Sequence, residues 1–399
     1  MATTRSTIPN PDLIADPADV IAAIAEVTGG PCGLHEPCFE GNEWAYVKDC
    51  IDTGWVSTAG SYVGRFEEMI GAFTGAAHVI ATGTGTAALH AALLGAGVGR
   101  DDEVIVPALT FVATANAVAY AGAVPHFVDI DTRTLGVDAS KLATHLSKIA
   151  DSTANGLINT TTGRRIAAVV CMHSFGHPCD LDALRNVCDS AGIVLIEDAA
   201  ESLGSYYKNR HTGNDGLISV LSFNGNKTIT TGGGGAILIN DAGLAARVRH
   251  LTTTAKLAHK WEFIHDEVGY NYRLPNLNAA LGCAQLEKLP AFLERKRSLA
   301  ARYHAAFKKV AGVSSFFEPD ECKSNYWLNL ILLDEADMAT RDAILDATNA
   351  QSYMTRAAWR PMHLLQMFTD CPRADLSVTE DVYARLINIP SSSQLAAPA

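Results

Sequence analysis

The sequence predicts an α/β protein, with a mainly parallel sheet of seven strands covered by helices on both faces and a smaller α+β lobe after it. Three observations carry this expectation. Short β-rich runs alternate with longer helical ones, the pattern of parallel strands joined by helical crossovers. The alternation stops near residue 265, where long helical periodicity takes over. The length, 399 residues, is enough for one large domain and one smaller one.

Taken in order, residues 1–30 read as an N-terminal extension with one amphipathic helix over 11–27, ended by Gly29-Gly30-Pro31. Residues 31–265 read as the large domain. Its strands are expected at 78–82, 103–107, 124–129, 166–172, 193–198, 218–223 and 236–240, and its helices at 86–94, 114–121, 181–191 and 241–252. The polar stretch 151–162 reads as a mobile loop. Residues 266–399 read as the smaller domain, with one or two long helices over 281–310 and a β-rich segment at 325–333.

Composition narrows the function. Lys+Arg 31 against Asp+Glu 43 gives a net charge of −12, with no basic block to follow a phosphate backbone, so nucleic acid is excluded as a partner. A phosphorylated small molecule remains compatible, because a few local cations and amides suffice to bind it. The nine cysteines are scattered singly and their count is odd, as in reduced intracellular proteins. No apolar run approaches a membrane span and the first residues lack a signal core, so a cytoplasmic location is expected.

Lys227 follows an apolar strand and comes 29 residues after Asp198, itself at the acidic end of a strand. In an open parallel sheet both would fall outside the carboxyl ends of the strands, where ligands collect. A lysine amine can hold an aldehyde as a Schiff base, and a carboxylate can pair with a pyridinium nitrogen. The two together point to pyridoxal phosphate. Thr82-Gly-Thr84-Gly85-Thr86 joins a strand to a helix, whose first amides and hydroxyls suit a phosphate dianion. Ser222 could add a hydroxyl, or be no more than a satisfied strand-end serine. Phe111, just past a strand end, could stack on a flat ring or simply cap the core.

Cys171, His173, His177 and Cys179 lie within nine residues and raise the question of zinc. No second ligand pair completes a zinc pattern, and a strand running into a turn explains the same residues. Four glycines, Gly232 to Gly235, follow Lys227 instead of preceding it, unlike a Walker loop. They read as a tight turn close to the cofactor.

The ordered set Thr84-Gly85-Thr86, Phe111, Glu197-Asp198-Ala-Ala-Glu201, Ser222-x4-Lys227, Thr230-Thr231-Gly232 and Gly269-Tyr-Asn271-Tyr-Arg273 resembles the DegT/StrS family of nucleotide-sugar aminotransferases over about residues 34–390. The resemblance implies the fold type I architecture of aspartate aminotransferase, and a homodimer with its active site at the subunit interface. It implies Lys227 as the Schiff-base lysine, Asp198 as the pyridinium partner and Phe111 as the stacking ring. Gly85, Thr86 and Ser222 become the phosphate cradle, Glu201 a further cofactor neighbour, and Asn271 the residue that reaches the phosphate from the other subunit.

The segments 34–43, 52–57 and 106–116 resemble the branch that aminates carbon 4 of UDP-linked 4-keto-6-deoxy-N-acetylglucosamine with L-glutamate as donor, on the way to bacillosamine- or legionaminic-acid-type polysaccharides. The same core would equally serve amination at carbon 3, or of a GDP- or dTDP-linked sugar. Two readings from other classes are a non-catalytic pyridoxal phosphate-binding regulator and a sulfur-mobilising lyase. The intact lysine and aspartate speak against the first, and the lack of a mobile cysteine against the second. Candidate substrate contacts are His35, Arg273, Tyr326, Trp359 and His363. Two positions depart from the family pattern. Glu201 stands where many members have Gln or His, and Gly233 where many have Glu.

Overall fold

Seven strands form one sheet: β1 (His78–Thr82), β2 (Glu103–Pro107), β3 (Val124–Val128), β4 (Ile166–Met172), β5 (Val194–Asp198), β6 (Ile218–Ser222) and β7 (Gly235–Ile239). They lie in the order β1-β7-β6-β5-β4-β2-β3 in this computed structural model, which describes residues 15–396. All neighbours run parallel except β7, which is antiparallel to both β1 and β6.

The strands are apolar throughout because both faces are covered, and successive side chains enter different cores. In β4, Ala168 and Val170 join the core under α4 (Gly85–Gly95), α5 (Val112–Tyr120) and α8 (Ala242–Thr252), whereas Val169 and Cys171 join the one under α6 (Ala139–Ile149) and α7 (Leu181–Ala191). At the β1 edge, Val79, Ala81 and Leu238 pack against α3 (Ser61–Thr74) and the first half of α9 (Asn276–Phe307).

Each expected strand is present, with ends shifted by at most one residue. Within residues 31–265 three helices are additional: α2 (Glu43–Thr53), α3 and α6. The stretch expected to be a mobile loop is instead paired as an antiparallel hairpin, Ala150–Thr153 with Gly156–Asn159. Its base is held where Asn159 Nδ2 (2.9 Å) donates to the buried carboxylate of Glu103, which His126 Nδ1 also meets at 2.8 Å. Polar composition concealed the hairpin, since three of the first strand's four residues are exposed.

The long helical periodicity is a single helix, α9, of 32 residues, about 48 Å at 1.5 Å per residue. Pro290 lies within it without ending it. The second half of α9 buries Leu299, Tyr303 and Phe307 against α1 (Pro17–Thr28), α10 (Met338–Ala350) and an antiparallel sheet of Val313–Ser315, Asn329–Leu333, Leu386–Ile389 and Arg356–Ala357. Helix α1 is capped by the Asp16 carboxylate at Ala18 N and stopped by Gly29 at φ 76°. Residues 11–14 of the helix expected there lie outside the described residues. Among the described residues no helix is long and apolar enough to cross a membrane.

Candidate active site

Register places the site. Thr82 of β1 and Ser222 of β6 both pair with Gly235, the first residue of β7, so the ends of three strands meet at one point. One strand further across, Val220 pairs with Asp198, and Asp198 with Met172. The connection from β6 to β7 carries Lys227 over this edge of the sheet. A cavity of about 310 Å3 opens there, lined among others by Gly85, Thr86, Phe111, Asp198, Glu201, Ser222, Lys227 and Trp359.

The start of α4 forms one wall. The Thr84 hydroxyl caps the helix by accepting from Ala87 N at 3.0 Å. A Cβ on Gly85 would come within 2.9 Å of Ser222 Cβ, so glycine is what allows the serine hydroxyl to stand against the first turn of the helix. A helix N-terminus with free amides, flanked by Thr86 and Ser222, is a cradle for a phosphate dianion. Phe111 precedes α5 and is 47 % exposed on the cavity side, an apolar ring free to cover a flat ligand.

Asp198 is buried and accepts from Thr114 Oγ1 at 2.8 Å and Ala200 N at 3.2 Å. Burial raises its pKa, while those two donors and the Lys227 charge pull it down. A carboxylate short of compensating charge is suited to a cationic ring nitrogen. Lys227 Nζ donates to Glu201 Oε1 at 3.0 Å and lies 3.9 Å over the Trp327 ring. Glu201 also accepts from Phe175 N at 2.8 Å, and burial pushes its pKa up to about 7 against the pull of Lys227. Phe175, at φ 59°, stacks flat on Trp359 with centroids 4.5 Å apart. Cradle, half-exposed ring, buried carboxylate and amine therefore face one space, and together they fit pyridoxal phosphate.

Four of the five candidate substrate residues do not line this cavity. His35 meets Lys296 Nζ at 2.9 Å, and His363 meets Glu380 at 3.0 Å. Arg273 bridges Thr82 through its backbone. Tyr326 is buried among His177 and Phe317, and it is the next residue, Trp327, that faces Lys227. Only Trp359 is on the wall. Asn271 is exposed and outside the cavity of its own chain. Thr114 and Trp327 were not anticipated. Thr114 had a signal, lying one helical turn after Phe111; Trp327 had none, since it arrives from 100 residues beyond Lys227.

The Cys/His stretch serves the strand that presents Asp198. His173 Nε2 meets Glu197 at 2.9 Å and its Nδ1 accepts from Cys179 N at 3.1 Å, while Cys179 Sγ donates to Met172 O. Glu197 points away from the cavity and accepts 2.7 Å bonds from the amides of Gly213, Asp215 and Gly216. Burial acts to raise its pKa, but His173 and the amides outweigh this and hold it down at about 2. A folded pKa below the ordinary carboxylate value means stability that is present above about pH 4.5 and lost as the pH falls through about 2. Glu197→Gln is expected to cost about 3–5 kcal/mol at neutral pH, with the gap from wild type narrowing toward pH 2 in denaturant titrations.

Comparison with known proteins agrees with this chemistry. Residues 37–398 match the DegT/DnrJ/EryC1/StrS aminotransferase family. The chain is 35% identical to the GDP-perosamine synthase of Escherichia coli O157:H7, over 91% of this chain and 93% of the relative. It is 34% identical to that of Vibrio cholerae, over 90% and 93%. The crystal structure of the aminotransferase TlmJ from Streptoalloteichus hindustanus superimposes with a TM-score of 0.81 at 28% identity, covering 91% of this chain and 94% of that one. With its fold of type I, the chain belongs to the DegT/DnrJ/EryC1/StrS aminotransferase family and is a sugar aminotransferase whose cofactor is pyridoxal phosphate.

Proposed function

We propose that the enzyme moves an amino group from L-glutamate to the keto carbon of a GDP-linked sugar, producing a GDP-linked amino sugar. The observation that carries the aminotransfer is the convergence of Lys227, Asp198 and the α4 N-terminus on one cavity. The choice of GDP is supported by the name shared by the relatives in Escherichia coli and Vibrio cholerae, each about a third identical over nine tenths of the chain. It replaces the UDP-linked acceptor and the bacillosamine or legionaminic acid products expected from short segments of sequence.

Bound in this cavity, pyridoxal phosphate supplies the electron sink that lets nitrogen pass between the two substrates. The protein does the rest. The α4 amides, Thr86 and Ser222 would hold the phosphate, Phe111 would cover the ring, and the Asp198 carboxylate would keep the ring nitrogen protonated. The free Lys227 amine would take a proton from the substrate carbon and return it two bonds away, on the far side of the nitrogen. Glu201 and the Trp327 face keep that amine aimed into the cavity. We further infer a homodimer in which Asn271 of each chain serves the partner's cradle, a reading compatible with its exposure outside its own cavity.

The test is to supply purified enzyme with L-glutamate and, separately, GDP-, UDP- and dTDP-linked 3-keto and 4-keto sugars, identifying products by mass and NMR. Amination of a GDP-linked sugar well above the others is the expected result. Preference for a UDP-linked acceptor would overturn the proposal, and light scattering on the same sample checks the dimer.

A further inference from the structure

The four glycines Gly232 to Gly235 are not equivalent. Gly232 sits at φ +79°, a conformation that disfavours any side chain. A Cβ on Gly234 would lie 2.2 Å from Thr231 Oγ1, and one on Gly235 would lie 2.6 Å from Thr84 O. Chain geometry or packing therefore demands glycine at these three positions. Gly233 is different. Its φ is outside the left-handed region, and the nearest atom to a Cβ there is Gly83 O at 4.0 Å. Neither backbone nor neighbours require glycine, yet this residue lines the cavity that holds Lys227 and Asp198.

The backbone at this point is also fixed. Asn278 Nδ2 donates to Thr231 O at 2.7 Å and to Gly233 O at 3.2 Å, so the turn does not depend on what residue 233 carries. The bare wall is thus a property of the cavity and not of the fold. A Glu at this position would fill that space and add a negative charge to the wall. Of the two substrates, glutamate is small, whereas a nucleotide sugar is several times larger and carries a diphosphate. The larger, more anionic ligand gains most from a wall with neither bulk nor carboxylate.

We propose that Gly233 is a specificity-determining position, whose missing side chain leaves the space taken by the acceptor nucleotide sugar. This rests on the nucleotide-sugar reading of the site and adds the place where the acceptor's bulk is accommodated. A φ outside the left-handed region and open space around a Cβ favour folding of Gly233→Gln, which its melting temperature and retained cofactor absorbance would verify.

The experiment measures both half-reactions of Gly233→Gln, using as acceptor whichever nucleotide-linked keto sugar the wild type turns over. The acceptor KM is expected to rise about tenfold or more. The glutamate-driven loss of cofactor absorbance should stay within about twofold of wild type. An unchanged acceptor KM would overturn the proposal, as would equal slowing of the glutamate half-reaction or loss of the cofactor, which would assign the space to the donor or to the ring. Failure of the GDP reading is scored separately, by which sugar the wild type accepts.

Discussion

Lys227→Ala is expected to abolish turnover, by about 10^4-fold or more, while leaving a folded protein. In the proposed reaction the amine is both the covalent anchor of the cofactor and the base that moves the substrate proton, so one truncation removes two functions. Folding survives because the partner left behind can neutralise itself. Glu201, with a pKa already near 7 through burial, takes up a proton when the Lys227 charge is gone and keeps its bond from Phe175 N. The measurements are steady-state turnover, the visible absorbance after dialysis, and a thermal melt. The cofactor should bind weakly and dialyse away, whereas wild type stays yellow. Partial rescue by methylamine would identify the lost group as an amine. Appreciable unaided turnover by Lys227→Ala would refute the assignment.

Asp198→Asn is expected to slow both half-reactions by about two to three orders of magnitude, the kinetic equivalent of removing one partner from a buried ion pair. The amide keeps the volume and the acceptor oxygen for Thr114, 2.8 Å from Asp198 Oδ2, and gives up only the longer 3.2 Å bond from Ala200 N, so packing changes little. What disappears is the negative charge that holds a proton on the ring nitrogen. Cofactor affinity should therefore fall much less than rate, since cradle, stacking ring and lysine are intact. Single-turnover absorbance changes with glutamate would separate the two quantities. A variant with wild-type rates would show that Asp198 is only a structural carboxylate.

That these two residues share one cavity was legible in the sequence for a physical reason. Strands buried on both faces read as continuous apolar runs, so the ends of β5 and β6 stood out, and ligands of parallel sheets gather at such ends. Helix α2 was not legible, because only Glu43 and Cys50 of its residues are buried and no apolar stripe forms. Helix α6 had a usable signal in Asp138, Leu142 and Leu146, a cap followed by two core leucines four apart.

Trp327 shows a different limit. Tyr326 and Trp327 are adjacent aromatics, and which of them faces Lys227 depends on a turn in which Tyr326 has φ 47°, set by tertiary packing and not by local pattern. Acceptor identity was the least legible of all. Asp198 and Ser222 sit at strand ends, which a sequence marks, whereas the outer cavity wall also draws on Trp327 and Trp359 from distant segments. Three short stretches suggested UDP, whereas a relative matched over nine tenths of the chain is named for a GDP-linked sugar.

The reversed strand β7 has a mechanical consequence. Because it begins beside the end of β6, with Gly235 clasped between Thr82 and Ser222, the connection bearing Lys227 is moored at both feet on interior strands of a rigid sheet. Its main chain has little slack to follow the chemistry. The stroke of the amine between cofactor and substrate is thus limited to the swing of four methylenes, and tethers of altered length at residue 227 should fail even when they end in the same nitrogen.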